Sequence, residues 1–147
     1  MGGGNGFDPH DPPRVSGPVV DYGLARKVLI SEVRRGVVAT TDACDAHPEL
    51  VRAGRNIGGE AAGPCPVCSH ETLRTVRYVY GDELGRDSGK VVYPEEWLAE
   101  LEAAVAEFTC YEVEVCTDCH WNHLIRSYVA GKGHRRVAQR QRRSGGA

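Results

Sequence analysis

Two short cysteine motifs, Cys65-Pro-Val-Cys68 and Cys116-Thr-Asp-Cys119, stand 47 residues apart in this chain. Each Cys-x-x-Cys hook sets two thiolates close enough to grip one ion. Two hooks brought together supply the four soft tetrahedral ligands that zinc takes at about 2.3 Å from each sulfur. A site closed by four protein sulfurs leaves no position for water, which is the chemistry of a structural metal rather than a catalytic one. The spacing therefore assigns Cys65, Cys68, Cys116 and Cys119 as ligands of one Zn2+. His70, His120 and His123 follow the hooks closely. Any of them could replace one thiolate in a Cys3His site, or stand behind it and orient a ligand.

Other chemistries open to the same residues fit less of the pattern. Disulfides would need an oxidising compartment, and no export signal or long apolar run is present. Cys116-Thr-Asp-Cys119-His120 spells the attachment motif of a c-type haem, but the matching position after Cys68 is Ser69. A thioredoxin-like dithiol would sit between a strand and a long helix, and neither hook does. Cys44, in Cys44-Asp-Ala-His-Pro48, reads as a small buried hydrophobe, with a reactive thiol assisted by Asp45 or His47 as the alternative. Cys110 is the remaining cysteine, and its role is open.

A chain of 147 residues with 41% hydrophobic and 26% charged residues is of the size and balance of one soluble domain with tails. No stretch approaches the roughly 20 apolar residues of a membrane helix. A cytoplasmic setting is therefore expected, with no membrane partner. The net charge of −2 hides an asymmetry: residues 1–118 carry 11 basic and 20 acidic side chains, and beyond Asp118 there are seven basic residues and no acid.

The elements that must position the hooks follow from periodicity and punctuation. Residues 1–18 are rich in Gly, Pro and Asp and read as a disordered leader. Residues 19–58 read as a helical segment. Its first helix runs from about Asp21 to Arg35, with Tyr22, Ala25, Leu29 and Val33 on one stripe, Leu24 and Val28 alongside, and Gly36 as its cap. A short turn follows at Thr40-Thr41-Asp42, and a second helix starts at Pro48 and reaches about Gly54. The helix–turn–helix order would present Glu49, Arg52, Arg55 and Asn56 to a DNA groove, although packing within the domain is the plainer reading.

Residues 59–131 read as a zinc ribbon. Leu73–Tyr80 alternates as a strand, and Gly81–Gly89 is a loop. Pro94-Glu95-Glu96 opens an amphipathic helix striped by Trp97, Leu101, Ala104, Val105 and Phe108. Thr109–Val115 and Trp121–Val129 supply two more strands. The fold class expected is α+β: about three antiparallel strands with an inserted amphipathic helix, packed with the helical segment as one compact domain. Residues 132–147 read as a basic disordered tail.

The runs Cys44-Asp-Ala-His-Pro48, Cys65-Pro-Val-Cys68, Tyr78-Val-Tyr80-Gly-Asp-Glu-Leu-Gly85 and Val113-Glu-Val-Cys116 occur together with Cys119, Trp121-Asn-His-Leu124 and Ser127-Tyr128. In this combination residues 18–131 resemble a small actinobacterial family of uncharacterised proteins. The resemblance implies metal binding by cysteine hooks in a bacterial cytoplasm, and no reaction. The chain is accordingly expected to be non-enzymatic, with no small-molecule substrate. Its expected partner is nucleic acid, or a ribonucleoprotein or transcription assembly. Arg126, Lys132, Arg135, Arg136, Arg140, Arg142 and Arg143 would meet phosphates while Trp121 and Tyr128 stack on bases. The alternatives are a protein-docking module, or a zinc or redox sensor in which Cys44 or Cys110 reacts.

Overall fold

The computed structural model describes residues 17–134. The leader through residue 16 and the arginines Arg135, Arg136, Arg140, Arg142 and Arg143 lie outside the described residues. The order of elements is β1 (Val19–Asp21), α1 (Gly23–Arg34), α2 (Thr40–Ala43), α3 (Pro48–Ile57), β2 (Gly59–Glu60), β3 (Leu73–Tyr80), a pair of 3-10 turns over Asp82–Asp87, α4 (Glu96–Ala104), β4 (Phe108–Cys116) and β5 (Asn122–Ala130). The class is α+β, with one antiparallel sheet of five strands in the order β1-β5-β4-β3-β2. Strands β3, β4 and β5 are the three expected from alternation. The edge strands β1 and β2 are added to them, and Gly59 and Glu60 of β2 pair with Thr75 and Arg74.

The helices begin and end where local chemistry requires. Asp21 Oδ1 accepts the Gly23 amide at 2.7 Å at the start of α1. At its end Gly36, at φ 77°, lets the amides of Gly36 and Val37 return to the carbonyls of Val33 and Glu32 at 3.1 and 2.8 Å. The face that α1 buries is offset from the expected stripe. Ile30 is buried, with Leu29 and Val33 against it, while Leu24 is 78% exposed and Val28 49%. Helix α3 opens on His47, whose Nδ1 accepts the Glu49 amide at 3.0 Å, with Pro48 in the position where a missing N–H costs nothing.

The amphipathic helix is shorter than its stripe. It ends at Ala104, Val105 turns extended, and Phe108 begins β4. Its buried residues are Leu98 and Leu101. Helical spacing across 105–108 is overridden by backbone pairing, since the Lys132 and Gly133 amides donate to the carbonyls of Val105 and Ala106.

The described chain divides into two compact units. The first comprises residues 21–76 and 112–126, and the second residues 17–20, 77–111 and 127–134. Strands β3, β4 and β5 each lend one part to either unit. The first has a core of Ile30, Ala43, Leu73, Trp121, Cys65 and Cys116. The second is built from hydrocarbon, chiefly Val79, Leu84, Leu98, Leu101, Phe108 and Tyr128, with Cys110 among them.

A candidate metal centre of two matched hooks

The two hooks are built alike, atom for atom. In the first, the Ser69 amide donates to the Cys65 carbonyl at 2.9 Å, the Val67 amide to Cys65 Sγ at 3.4 Å, and the Cys65 amide to the His70 carbonyl at 2.9 Å. In the second, the His120 amide donates to the Cys116 carbonyl at 3.0 Å, the Asp118 amide to Cys116 Sγ at 3.4 Å, and the Cys116 amide to the Trp121 carbonyl at 2.8 Å. Both hooks close through a residue in the left-handed region, Ser69 at φ 67° and His120 at φ 72°. That conformation costs a non-glycine residue on the order of 1–2 kcal/mol. Two sequences with only their cysteines in common reach one geometry, which aims backbone amides at sulfur.

The elements hold these turns by their flanks. Hook 1 leads into β3, and hook 2 joins the end of β4 to β5. The Thr117 amide donates to the Thr72 carbonyl at 3.1 Å, and Arg55 at the end of α3 donates to the Thr117 carbonyl at 3.2 Å. A Cβ on Gly54 would lie 2.7 Å from Val115 Cγ1, so α3 rests on β4 at a distance that only glycine permits. Trp121, 0% exposed, donates from Nε1 to Glu114 Oε2 at 2.7 Å, and Arg26 Nε holds the same oxygen at 2.6 Å.

The four cysteine sulfurs all lie within 4.8 Å of one another, with Cys65–Cys119 and Cys68–Cys116 each at 3.6 Å. A tetrahedron of 2.3 Å metal–sulfur bonds has edges of about 3.8 Å, so the donor set fits a four-coordinate ion. The structure thus brings together Cys65, Cys68, Cys116 and Cys119, from two places far apart in the chain, at a separation that could hold a metal.

Their acidities show a cluster short of positive charge. Burial pushes the Cys65 thiol up to about 11, against hydrogen bonds from the amides of Cys68 and Val67 and from Cys119, with the negative charge of Cys116 adding to the rise. Burial drives Cys119 upward as well, with contacts to Cys65 and Cys44 in the same direction. At Cys116 burial also opposes ionisation. The hydroxyl of Thr72, 3.1 Å from its sulfur, and the amides of Cys119 and Asp118 outweigh it and bring the thiol down to about 7. One sulfur readily holds a negative charge while its neighbours resist a second. A bound cation removes that conflict.

The rings of His70 and His123 are engaged elsewhere, and His120 is exposed. His70 Nδ1 bonds Asp118 Oδ2, fastening the rim of one hook to the other. His123 donates from Nδ1 to the Leu124 carbonyl at 2.7 Å, and its ring stacks on Trp121 with centroids 6.0 Å apart. The His120 carbonyl accepts the Ala46 amide at 3.0 Å. The mutual group of four sulfurs includes no histidine. Cys68, His70 and Asp118 form a second, more exposed trio within the same distance limit.

Arg126 is not available to phosphate. It is 5% exposed, and its Nε lies 2.7 Å from Glu112 Oε1, also buried. Trp121 and Tyr128, at 0% and 6% exposure, cannot stack on bases. The reason is the same in both cases: these side chains turn inward, where the arginine neutralises an acid on β4 and the aromatics fill the two cores. Lys132 is exposed. On α3, Glu49, Arg52, Arg55 and Asn56 are all exposed; Arg52 pairs with Glu49 at 3.1 Å and Arg55 donates to the Thr117 carbonyl of hook 2. Thr72, Glu114 and the clasp between His70 and Asp118 were not legible as parts of the site. Their partners are distant in sequence and no spacing marks them.

No helix among the described residues is long and apolar enough to cross a membrane. A cavity of about 310 Å3 lies in the first unit, lined by Arg26, Ala61, Leu73, Glu114 and Ile125 among others, and its acid and base are already joined to each other.

The model of a family described as a family of unknown function, DUF5318, matches residues 14–144. Uncharacterised proteins of Mycobacterium tuberculosis and Mycobacterium bovis are each 42% identical to the chain over 127 residues, covering 86% of it and 90% of the relative. No solved structure matches.

Proposed function

The chain belongs to the DUF5318 family of unknown function, and from its two matched hooks we propose that it is a non-enzymatic protein organised by one structural Zn2+. The observation that carries this reading is the mutual approach of Cys65, Cys68, Cys116 and Cys119 within 4.8 Å. Four thiolates suit zinc and fill its tetrahedron, leaving no position at which a substrate or water could be activated. The bound ion supplies charge for the thiolates and a crosslink between β3 and the β4–β5 turn. Thr72 and the hook amides orient and stabilise the sulfur lone pairs, and the Trp121–Glu114–Arg26 chain fixes the turn from below. The test is elemental analysis of purified protein, with one zinc per chain expected and none in Cys116→Ala. Protein that binds zinc no better than Cys116→Ala would remove the reading.

For the partner we propose nucleic acid, or an assembly containing it, met through the basic run Lys132, Arg135, Arg136, Arg140, Arg142 and Arg143. The support is the charge asymmetry of the sequence, with the acids ending at Asp118. Six phosphate contacts on a duplex would give a salt slope of about −5. Binding that ignores salt, or survives deletion of 132–147, would overturn it. The second reading is a protein-docking module. The exposed Leu24 and Val28 of α1 favour it, and retained capture of a protein partner after nuclease treatment and tail removal is its test.

A further inference from the structure

Four sulfurs complete a tetrahedral ion, and a fifth lies beside them. Cys44 Sγ is 3.6 Å from Cys119 Sγ, as close as Cys65 Sγ is to the same atom, yet it stands outside the mutual group of four. The segment that carries it is fastened on both sides of the thiol. The Cys44 amide donates to the Thr40 carbonyl at 2.8 Å and the Ala46 amide to the His120 carbonyl at 3.0 Å. Asn122 Nδ2 donates to Asp45 Oδ1 at 3.0 Å. Two of these bonds run to residues adjoining hook 2, so Cys44 is held against the sulfur it faces. Cys44, Cys68 and Cys119 are partly exposed, whereas Cys65 and Cys116 are buried, so a small oxidant can reach Cys44 and the sulfur it faces at 3.6 Å. His47 does not serve Cys44 as a base, because its Nδ1 caps α3.

Resting on the zinc reading above, we propose that Cys44 is a thiol modification site, at which a hydroperoxide is reduced, a Cys44–Cys119 disulfide forms and the metal is released. The Cys44 sulfur attacks the terminal peroxide oxygen. The O–O bond breaks, the alcohol (or water, from hydrogen peroxide) leaves with the thiol proton, and Cys44 becomes a sulfenic acid. Cys119 sulfur then attacks that sulfur, the S–S bond forms, and hydroxide departs and takes up a proton as water. The two sulfurs together lose two electrons and the peroxide gains two. The pair closes from 3.6 Å to a bond of about 2.05 Å, and Cys119 in that bond no longer offers the ion a thiolate.

The test exposes zinc-loaded full-length protein to hydrogen peroxide, following zinc release with a chromogenic chelator and mapping disulfides by peptide mass. Release is expected in step with the Cys44–Cys119 linkage, and reversal by a dithiol with added zinc. Cys44→Ser and, as a second variant, Cys44→Ala should hold one zinc and lose it at least tenfold more slowly under peroxide. Their loss to chelator without oxidant should match the parent protein. Equal release rates, or a first disulfide within a hook (Cys65–Cys68 or Cys116–Cys119), would overturn the inference while the zinc reading stands. Parent protein that carries no metal would bring down that reading, and this inference with it.

Discussion

The two units of the chain solve the same problem with different materials. The second, around Leu98, Leu101, Phe108 and Tyr128, is held by hydrocarbon. Where its backbone turns to positive φ it uses glycine, at Gly85, Gly89 and Gly131. The first places two cysteines in its core and turns both hooks through non-glycine residues at positive φ. It also holds two arginine–glutamate pairs, Arg126–Glu112 buried on both sides and Arg26–Glu114 with the acid buried and the arginine partly exposed. Buried thiols with conflicting acidities and strained turns are poor sources of stability. A sequence that concentrates them in one unit needs another source there, and a metal ion held by the four sulfurs, as proposed above, would supply it.

The largest effect that could break this contrast is metal removal. Structural zinc contributes on the order of 10–16 kcal/mol in finger peptides, as large as a domain's whole stability. Chelation is therefore expected to lower hydrogen-exchange protection sharply at the hook amides and along 112–126, while the amides of α4 and the Phe108 end of β4 keep much of theirs. Equal loss in both units, or none in either, would erase the distinction. Cys110 provides the internal control. It is 0% exposed within the hydrocarbon core, so Cys110→Ala should leave metal content unchanged where Cys116→Ala removes it.

Next in size is the converse experiment. Phe108 is 2% exposed in the second core, and truncating a buried phenylalanine costs about 3–5 kcal/mol. Phe108→Ala is expected to lower the unfolding free energy by that amount and still bind one zinc per chain. A variant that folds but loses its metal would show that the centre depends on the hydrocarbon core of the other unit.

These two residues also mark what the sequence disclosed and what it did not. The cysteine hooks, the strand Leu73–Tyr80 and the glycine that ends α1 were legible because spacing, alternation and a positive-φ requirement are local signals. Phe108 was not. It falls on the helical stripe of Trp97 and Leu101, and only pairing with strands distant in sequence makes it the first residue of β4. The buried faces of β4 were hidden for a related reason. Alternation separates Cys110, Glu112 and Glu114 from Tyr111 and Val113, but the acids face inward because Arg126 and Arg26 meet them there. Edge strands of two and three residues, β2 and β1, carry no period at all.

A smaller effect, with a definite sign, comes from pH in the metal-free protein. Cys65 is raised from 9.0 to about 11, so its contribution is present below 9.0 and is lost as pH climbs through about 11, with Cys119 shifted in the same direction. Cys116 is lowered from 9.0 to about 7, so its contribution is present above 9.0 and disappears as pH falls through about 7. Metal-free hook amides should therefore be best protected near pH 9 and lose protection on either side. In the zinc-loaded protein the alkaline loss should vanish, because the sulfurs are held as thiolates. Acid alone should then weaken it, by competing for them. A zinc-loaded protein with the same alkaline fall would mean that these sulfurs do not hold the ion.

The smallest change tests the hooks' strain directly. Ser69 sits at φ 67° on the exposed side of hook 1, and its side chain makes none of the hydrogen bonds that define the turn, which run through its amide and the Cys65 carbonyl. Glycine adopts this conformation without the Cβ penalty, although it gains freedom in the unfolded chain. Ser69→Gly is therefore expected to stabilise the protein by about 0.5–1 kcal/mol in chelator and to raise zinc affinity by a few-fold, read by competition against a chromogenic chelator. The same glycine at His120 should gain less, because His120 packs beside the segment that holds Cys44. Destabilisation by Ser69→Gly would mean that the serine's left-handed turn is held by something other than the metal centre's demand, and the contrast between a strained unit and a relaxed one would lose its clearest local instance.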